Sequence, residues 1–371
     1  MNNKTRALNI LNYKDVDRLP AVHFGYWPEL LQEWVDKGHL KQDDIIRVRD
    51  GNDADYELNK KLGWDFNWAT TRSGHISLKP YFAREILEEL PDGSIKVLTN
   101  WGVIEIEKPG VVSIAGECDY TLKDRKAYEE LYKPKMVFSE DRVNPDYFNN
   151  NSWDTIDGPV GLHLGSIIGD VRNMLTVIGM SYLLYDDYEL LEEIVDDYAN
   201  LQYEVAKRVL EVSNFKFDFA HYWEDICYKN GPLFNPDILD DLSAKHYKKR
   251  NDLVKSYGID IISLDCDGLI DDMIPTWFEN GVNTMFPIEV GVWDASIGPW
   301  REKYGKELKG VGGLNKHVLS YDKKTVDAEI ERLKPLIALG GYIPCPDHRL
   351  PPGTKYELVQ YYTEKIKELK V

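Results

Sequence analysis

The sequence predicts one α/β domain of the TIM (β/α)8 barrel type over residues 1–371. Three observations predict it. From about residue 158 onward, apolar β-like runs alternate with helical periods to the C-terminus, and repeated βα units imply a parallel sheet. Two of those runs empty into ionisable loops. One ends in Asp265-Cys266-Asp267-Gly268, the other in Pro344-Cys345-Pro346-Asp347-His348-Arg349. Ionisable residues at the carboxyl ends of parallel strands are how barrel sites are assembled. Third, the glycines expected of the rival doubly wound sheet are missing: Gly310, Gly312 and Gly313 have the wrong spacing for a phosphate loop. About eight βα units in one chain favour closure over an open sheet.

In chain order, residues 3–12 read as a short helix. Asp17-Arg18-Leu19-Pro20 introduces a strand over 21–27, residues 55–63 read as helix, and 64–68 as extended. Residues 75–115 differ. The stretch 94–106 alternates apolar and polar side chains, with Pro91-Asp92-Gly93 as a turn. It predicts a β-hairpin insertion on the barrel rim, near residues 75–115. Strand 159–164 follows, then a long amphipathic helix over 188–212 with Leu, Val and Tyr at helical spacing. The remaining order is strand 215–223, helix 236–257, strand 259–265, helix 270–280, strand 282–288, and a loop with a short helix to 305. Strand 307–313, helix 322–339, strand 341–345 and helix 355–369 complete it.

Lys plus Arg number 45 against 63 Asp plus Glu, a net charge of −18. Such a surface repels phosphate backbones and anionic lipid, so the charge argues against nucleic-acid or membrane partners. The four cysteines, Cys118, Cys227, Cys266 and Cys345, form no CxxC pair, which suits a reduced, cytoplasmic protein. No apolar stretch reads as a signal peptide or a membrane span.

Alternation along strand 259–267 places Ile262, Leu264 and Cys266 on one face. Ile261, Ser263, Asp265 and Asp267 occupy the other. The second set is expected to point into the barrel mouth. Two carboxylates at i and i+2 can hold a metal or tune each other's proton affinity. Asp267-Gly268 also reads as the cap of a following helix. His348, in a loop stiffened by prolines, is a candidate catalytic residue, whereas Cys345 reads as core. His221-Tyr222-Trp223-Glu224-Asp225 closes another strand, with Lys229 soon after. Glu224 is a catalytic candidate, and Tyr222, Asp225 and Lys229 are candidate substrate contacts. An ion pair from Glu224 or Asp225 to Lys229 is the alternative. Glu289 closes the next strand, and His163, a further candidate substrate contact, follows strand 159–162. Trp27 and Trp68 are candidate pocket walls, although aromatic residues also fill cores.

These strand ends, in this order, resemble the uroporphyrinogen decarboxylase superfamily, closest to its cobalamin (corrinoid)-dependent methyltransferase branch. The resemblance runs from Arg18-Leu19-Pro20 to the C-terminal helix and is firmest after residue 158. Asp347-His348-Arg349-Leu350-Pro351-Pro352-Gly353-Thr354 is similar to the last βα loop of that family. There the decarboxylases carry a histidine and many methyltransferases a zinc-ligating cysteine. The decarboxylases also carry an arginine-rich motif after the first strand. This sequence has Phe24-Gly25-Tyr26-Trp27-Pro28-Glu29 there, with no arginine to grip a polyanionic porphyrinogen. Where the methyltransferases carry His-x-Cys-Gly, it has Asp265-Cys266-Asp267-Gly268.

The resemblance thus implies a TIM barrel and a methyl transfer from a small O- or N-methyl donor to a corrinoid protein. It further implies a metal set drawn from Asp265, Asp267, Glu289 and His348, with Cys266 instead if the register shifts by one. Hard carboxylates replace thiolates, so zinc or a harder ion is expected, and a metal-free site using a carboxylic acid is the other option. The corrinoid would arrive on a partner protein, and a homodimer is the family expectation. A porphyrinogen or other carboxylate lyase, and a non-catalytic corrinoid- or tetrapyrrole-binding protein, are the alternative readings.

Overall fold

Parallel strands need a crossover of a dozen or more residues, and the helical stretches of this chain supply it. The protein is described by a computed structural model covering residues 1–111, 115–149, 151–291 and 293–369. Its strands are β1 (Val22–His23), β2 (Phe66–Asn67), β3 (Thr71–Arg72), β4 (Glu85–Glu89), β5 (Ile95–Leu98), β6 (Val103–Glu107) and β7 (Gly116–Tyr120). They continue with β8 (Gly161–Gly165), β9 (Phe219–Trp223), β10 (Cys227–Tyr228), β11 (Gly231–Pro232), β12 (Ile262–Asp265), β13 (Thr284–Phe286), β14 (Lys309–Leu314) and β15 (Tyr342–Pro346). Seven of them form one parallel sheet in the order β15-β14-β13-β12-β9-β8-β3. β1 and β2 make a separate parallel pair. Beyond β1, Trp27 N–H donates to the Leu350 carbonyl and Leu350 N–H to the Gly25 carbonyl, a parallel bridge to the loop after β15.

Helices between strands are capped as their sequences suggest. Asn235 precedes Pro236 at the start of helix Pro236–Ser256 and accepts from Asp237 N–H. Helix Tyr188–Val212 buries Leu190, Leu191, Ile194, Val195, Tyr198, Val205 and Val209, each worth about 1.5–3 kcal/mol when removed from water.

The expected extended stretch 64–68 holds the short strand β2, paired to β1, and the unexpected β3 just beyond it pairs with β8. The rim hairpin is corrected to a four-stranded antiparallel sheet, β4-β5-β6-β7, reaching Tyr120; residues 112–114 of the expected insertion lie outside the described residues. Alternation in 94–106 disclosed β5 and β6. Acidic β4 and β7 are exposed edges that lack the apolar period. Helix Pro28–Asp36 begins where strand 21–27 was expected to end, and helix Gly169–Asp186 follows β8. Among the described residues, no helix is long and apolar enough to cross a membrane.

Side chains on the inner face of the sheet meet across it. Trp68 Nε1 donates to Ser263 Oγ at 3.2 Å and stacks on Phe219. Phe24 packs edge-on against Phe286 with ring centroids 4.7 Å apart. Residues beside β1, β2 and β3 therefore face β9, β12 and β13 over a shared interior.

Candidate active site

Three strand ends bring three ligand-bearing side chains together. Asp267 follows β12, Glu289 follows β13 and His348 follows β15, and one donor atom from each lies within 4.8 Å of the others. His348 Nε2 stands 3.1 Å from Asp267 Oδ2. Glu289 Oε2 accepts the Gly268 N–H at 2.9 Å, which binds the two loops to each other. Gly268 suits that turn because its φ is +101° and a Cβ would lie 2.7 Å from the Cys227 carbonyl carbon. Asp267 Oδ1 is buried with no hydrogen-bond partner among the described residues.

The electrostatics follow from crowded carboxylates with little water. Burial, then the Asp267 charge, pushes Glu289 up to about 7. Asp265 is raised well above the usual carboxylate range by burial and by the charges of Asp267 and Asp225. Asp225 is raised by burial and by Asp267, against the pull of Arg172. For His348, burial acts to lower the pKa, but the hydrogen bond and charge of Asp267 prevail and raise it. Trp27 stacks on the His348 ring at 5.7 Å, and Phe24 meets it edge-on.

The remaining expected residues are distributed around this group. Asp265 lies two residues before Asp267, on the Ser263 face of β12, but is not one of the three converging ligands. Cys266 faces the other way, fully buried against Cys227, which together with burial raises its thiol pKa. Glu224 is also buried and does not reach the group. Its oxygens accept from Ser166 Oγ, from the N–H groups of Ile167, Ile168 and Gly169, and from the Tyr247 hydroxyl. Tyr222 points into the helical layer, where its hydroxyl donates to Asn251. Lys229 is exposed beside Tyr228 and pairs with neither Glu224 nor Asp225 among the described residues. Asp225 instead pairs with Arg172 at 3.3 Å. His163 accepts from Gly165 N–H and packs against His221 inside the sheet. Burial lowers His163 to about 4, helped by the Arg250 charge, and His221 to about 3, where a proton would also have to compete with one on His163.

Two residues were not anticipated as part of this assembly. Arg349 forms a two-point ion pair with Asp50. Asp347, fully buried, accepts from the backbone N–H groups of Val290, Gly291 and Lys316. The acidic residue before His348 was visible in the sequence, but not the donors it would meet. A cavity of about 560 Å³ adjoins the group through Trp27 and is also lined by Tyr26, Leu31, Ile45, Val48 and Arg349.

Carboxylate, carboxylate and imidazole suit a borderline or hard divalent cation. The partnerless Asp267 Oδ1 and the close approach of His348 fit that use. Without a cation, the same group can hold and pass a proton.

No family model and no curated protein matches this chain. Among solved structures it is similar to a methyltransferase from Methanosarcina mazei. The TM-score is 0.60 and the identity 13%, over 99% of both chains. A protein described as a vitamin B12-independent methionine synthase, from Listeria monocytogenes, aligns at a TM-score of 0.41 and 14% identity, over 95% of this chain and 98% of that one. The first likeness is one of fold, an α/β architecture shared over nearly the whole length.

Proposed function

We propose that this chain is a metal-assisted methyltransferase that takes a methyl group from a small O- or N-methyl donor and passes it to a corrinoid carried by a partner protein. The observation that carries the reading is the meeting of Asp267, Glu289 and His348 at the ends of three parallel strands. The M. mazei protein of similar fold is itself described as a methyltransferase. The reading includes a closed eight-stranded barrel. The β1–β2 pair and the bridge between Tyr26 and Leu350 support closure.

Asp267, Glu289 and His348 would hold the cation, zinc or a harder ion, which supplies polarisation of the heteroatom that bears the methyl group. The other steps fall to the chain. Trp27 and Phe24 shield the His348 side of the site and keep water from the transferring methyl group. The cavity behind Trp27 has room for the body of the donor. When the bond from methyl carbon to heteroatom breaks, its electron pair stays on the heteroatom, which then needs a proton. Asp265, on the inner face of β12 two residues before Asp267, would give it; burial raises its pKa and so favours the acid form.

A polyanionic substrate fits less well. Arg349 and Arg172 already face Asp50 and Asp225, so their charge is matched within the protein. The test is elemental analysis of wild type and His348→Ala. Stoichiometric metal in the wild type that is lost from the variant is expected. Metal in neither protein would remove the metal-assisted reading.

A further inference from the structure

We infer that Asp347 is the positioning residue of this centre: its carboxylate locks three strand-end loops into one frame, so that Glu289 and His348 stand assembled before a cation arrives. The inference rests on the metal reading of Asp267, Glu289 and His348. One oxygen of Asp347 accepts the N–H groups of Val290 and Gly291, both at 3.0 Å. The other accepts Lys316 N–H at 3.0 Å and faces Lys316 Nζ at 3.5 Å. Asp347 N–H itself donates to the Leu314 carbonyl at 2.8 Å. Val290 follows Glu289, His348 follows Asp347, and Lys316 stands just beyond β14. A single side chain, with no exposed surface, therefore ties the loops after β13, β14 and β15.

The arrangement calls for a carboxylate. Every partner is a donor, so both oxygens must accept. Asparagine has the same shape but one acceptor, and its NH2 would confront either the Val290 and Gly291 N–H groups or those of Lys316. Buried donors without acceptors are costly, and the loop bearing Glu289 or the one bearing Lys316 would move to find water. Outer partners that bond a ligand directly typically cost about 10- to 100-fold in metal affinity when removed, and Asp347, which bonds the backbone beside Glu289, is expected to act on that scale.

The experiment is titration of metal-free protein with cobalt(II), following the visible absorption of the bound ion, in wild type and Asp347→Asn. Circular dichroism and thermal unfolding of both establish that the variant is folded. The expected result is about 10- to 100-fold weaker cobalt binding with an altered spectrum in a folded variant. Equal affinity and an unchanged spectrum overturn the positioning role while leaving the metal reading intact. A wild type that takes up no cobalt sinks the metal reading and this inference with it. Amide hydrogen exchange on metal-free wild type tests the clamp even if the variant fails to fold. Protected Val290 and Gly291 amides are expected, and exchange at nearly free-peptide rates overturns the inference.

Discussion

Asp265, Cys266 and Asp267 are consecutive, yet they meet three different environments. The strand period turns Asp265 towards the inner face, where Ser263 meets Trp68, and turns Cys266 outward against Cys227. Asp267, just past the strand, swings to His348. A one-residue change of register would exchange those environments, so substitution reads the register directly. Asp265→Ala is expected to lower methyl transfer by at least about 100-fold, the usual range for a positioned acid. Cys266→Ala is expected to leave the rate within a few-fold and to cost some stability through lost packing. Comparable turnover by the two variants, or the reverse order, would contradict the assignment.

At the scale of elements, the junction from β8 into helix Gly169–Asp186 depends on a residue far away in sequence. Glu224, at the end of β9, satisfies three N–H groups at the start of that helix, together with Ser166 and Tyr247. Helix starts leave such donors unpaired and favour negative charge beside them. Glu224→Gln supplies one acceptor where two are used, and its NH2 must face a donor. The expected loss is about 2–4 kcal/mol of unfolding free energy, read as a lower urea midpoint with an unchanged slope. A midpoint equal to wild type would show that the junction does not depend on the carboxylate. The same scale explains why the rim insertion reads poorly from sequence. β4 is Glu85-Ile86-Leu87-Glu88-Glu89 and is exposed throughout, so no buried face imprints a period of two on it. β5 buries Val97, and β6 buries Val103. Those two strands produced the visible alternation.

For the whole molecule, the inner face of the sheet carries His163 and His221 in place of purely apolar side chains. Each folded-state pKa lies below the ordinary histidine value of 6.5, at about 4 and about 3. The unfolded chain therefore binds two protons that the folded chain refuses as pH falls below 6.5. Stability from these rings is full above pH 6.5 and falls towards pH 4, by about 1.4 kcal/mol per pH unit for each proton. The double variant His163→Gln, His221→Gln should lose less stability than wild type between pH 6.5 and pH 4, measured by urea unfolding across that range. Parallel pH profiles for the two proteins would show that the rings are not held neutral in the folded state.

Much of the architecture was legible because it is local. Helix 188–212 follows from a period of 3.6, and the strands near 161, 219, 262, 284, 309 and 342 from short apolar runs, as strands buried on both faces require. The candidate acids were legible as well, since Asp265, Asp267, Glu289 and His348 stand where apolar runs stop. What a side chain meets is not local. Glu224 and Glu289 both close apolar strands, and nothing in their neighbouring residues distinguishes them. One turns to a helix N-terminus and is saturated by donors, while the other turns to Asp267 and His348. Asp347 and Val290 are 57 positions apart, and Asp267 and His348 are 81 apart. Strand pairing and the curvature of the sheet bring such pairs within reach. The sequence alone therefore determined most of the elements after residue 158, their order and the pool of reactive groups. Only the tertiary structure decided which of them meet, because donors, burial and neighbouring charge come from segments distant in the chain.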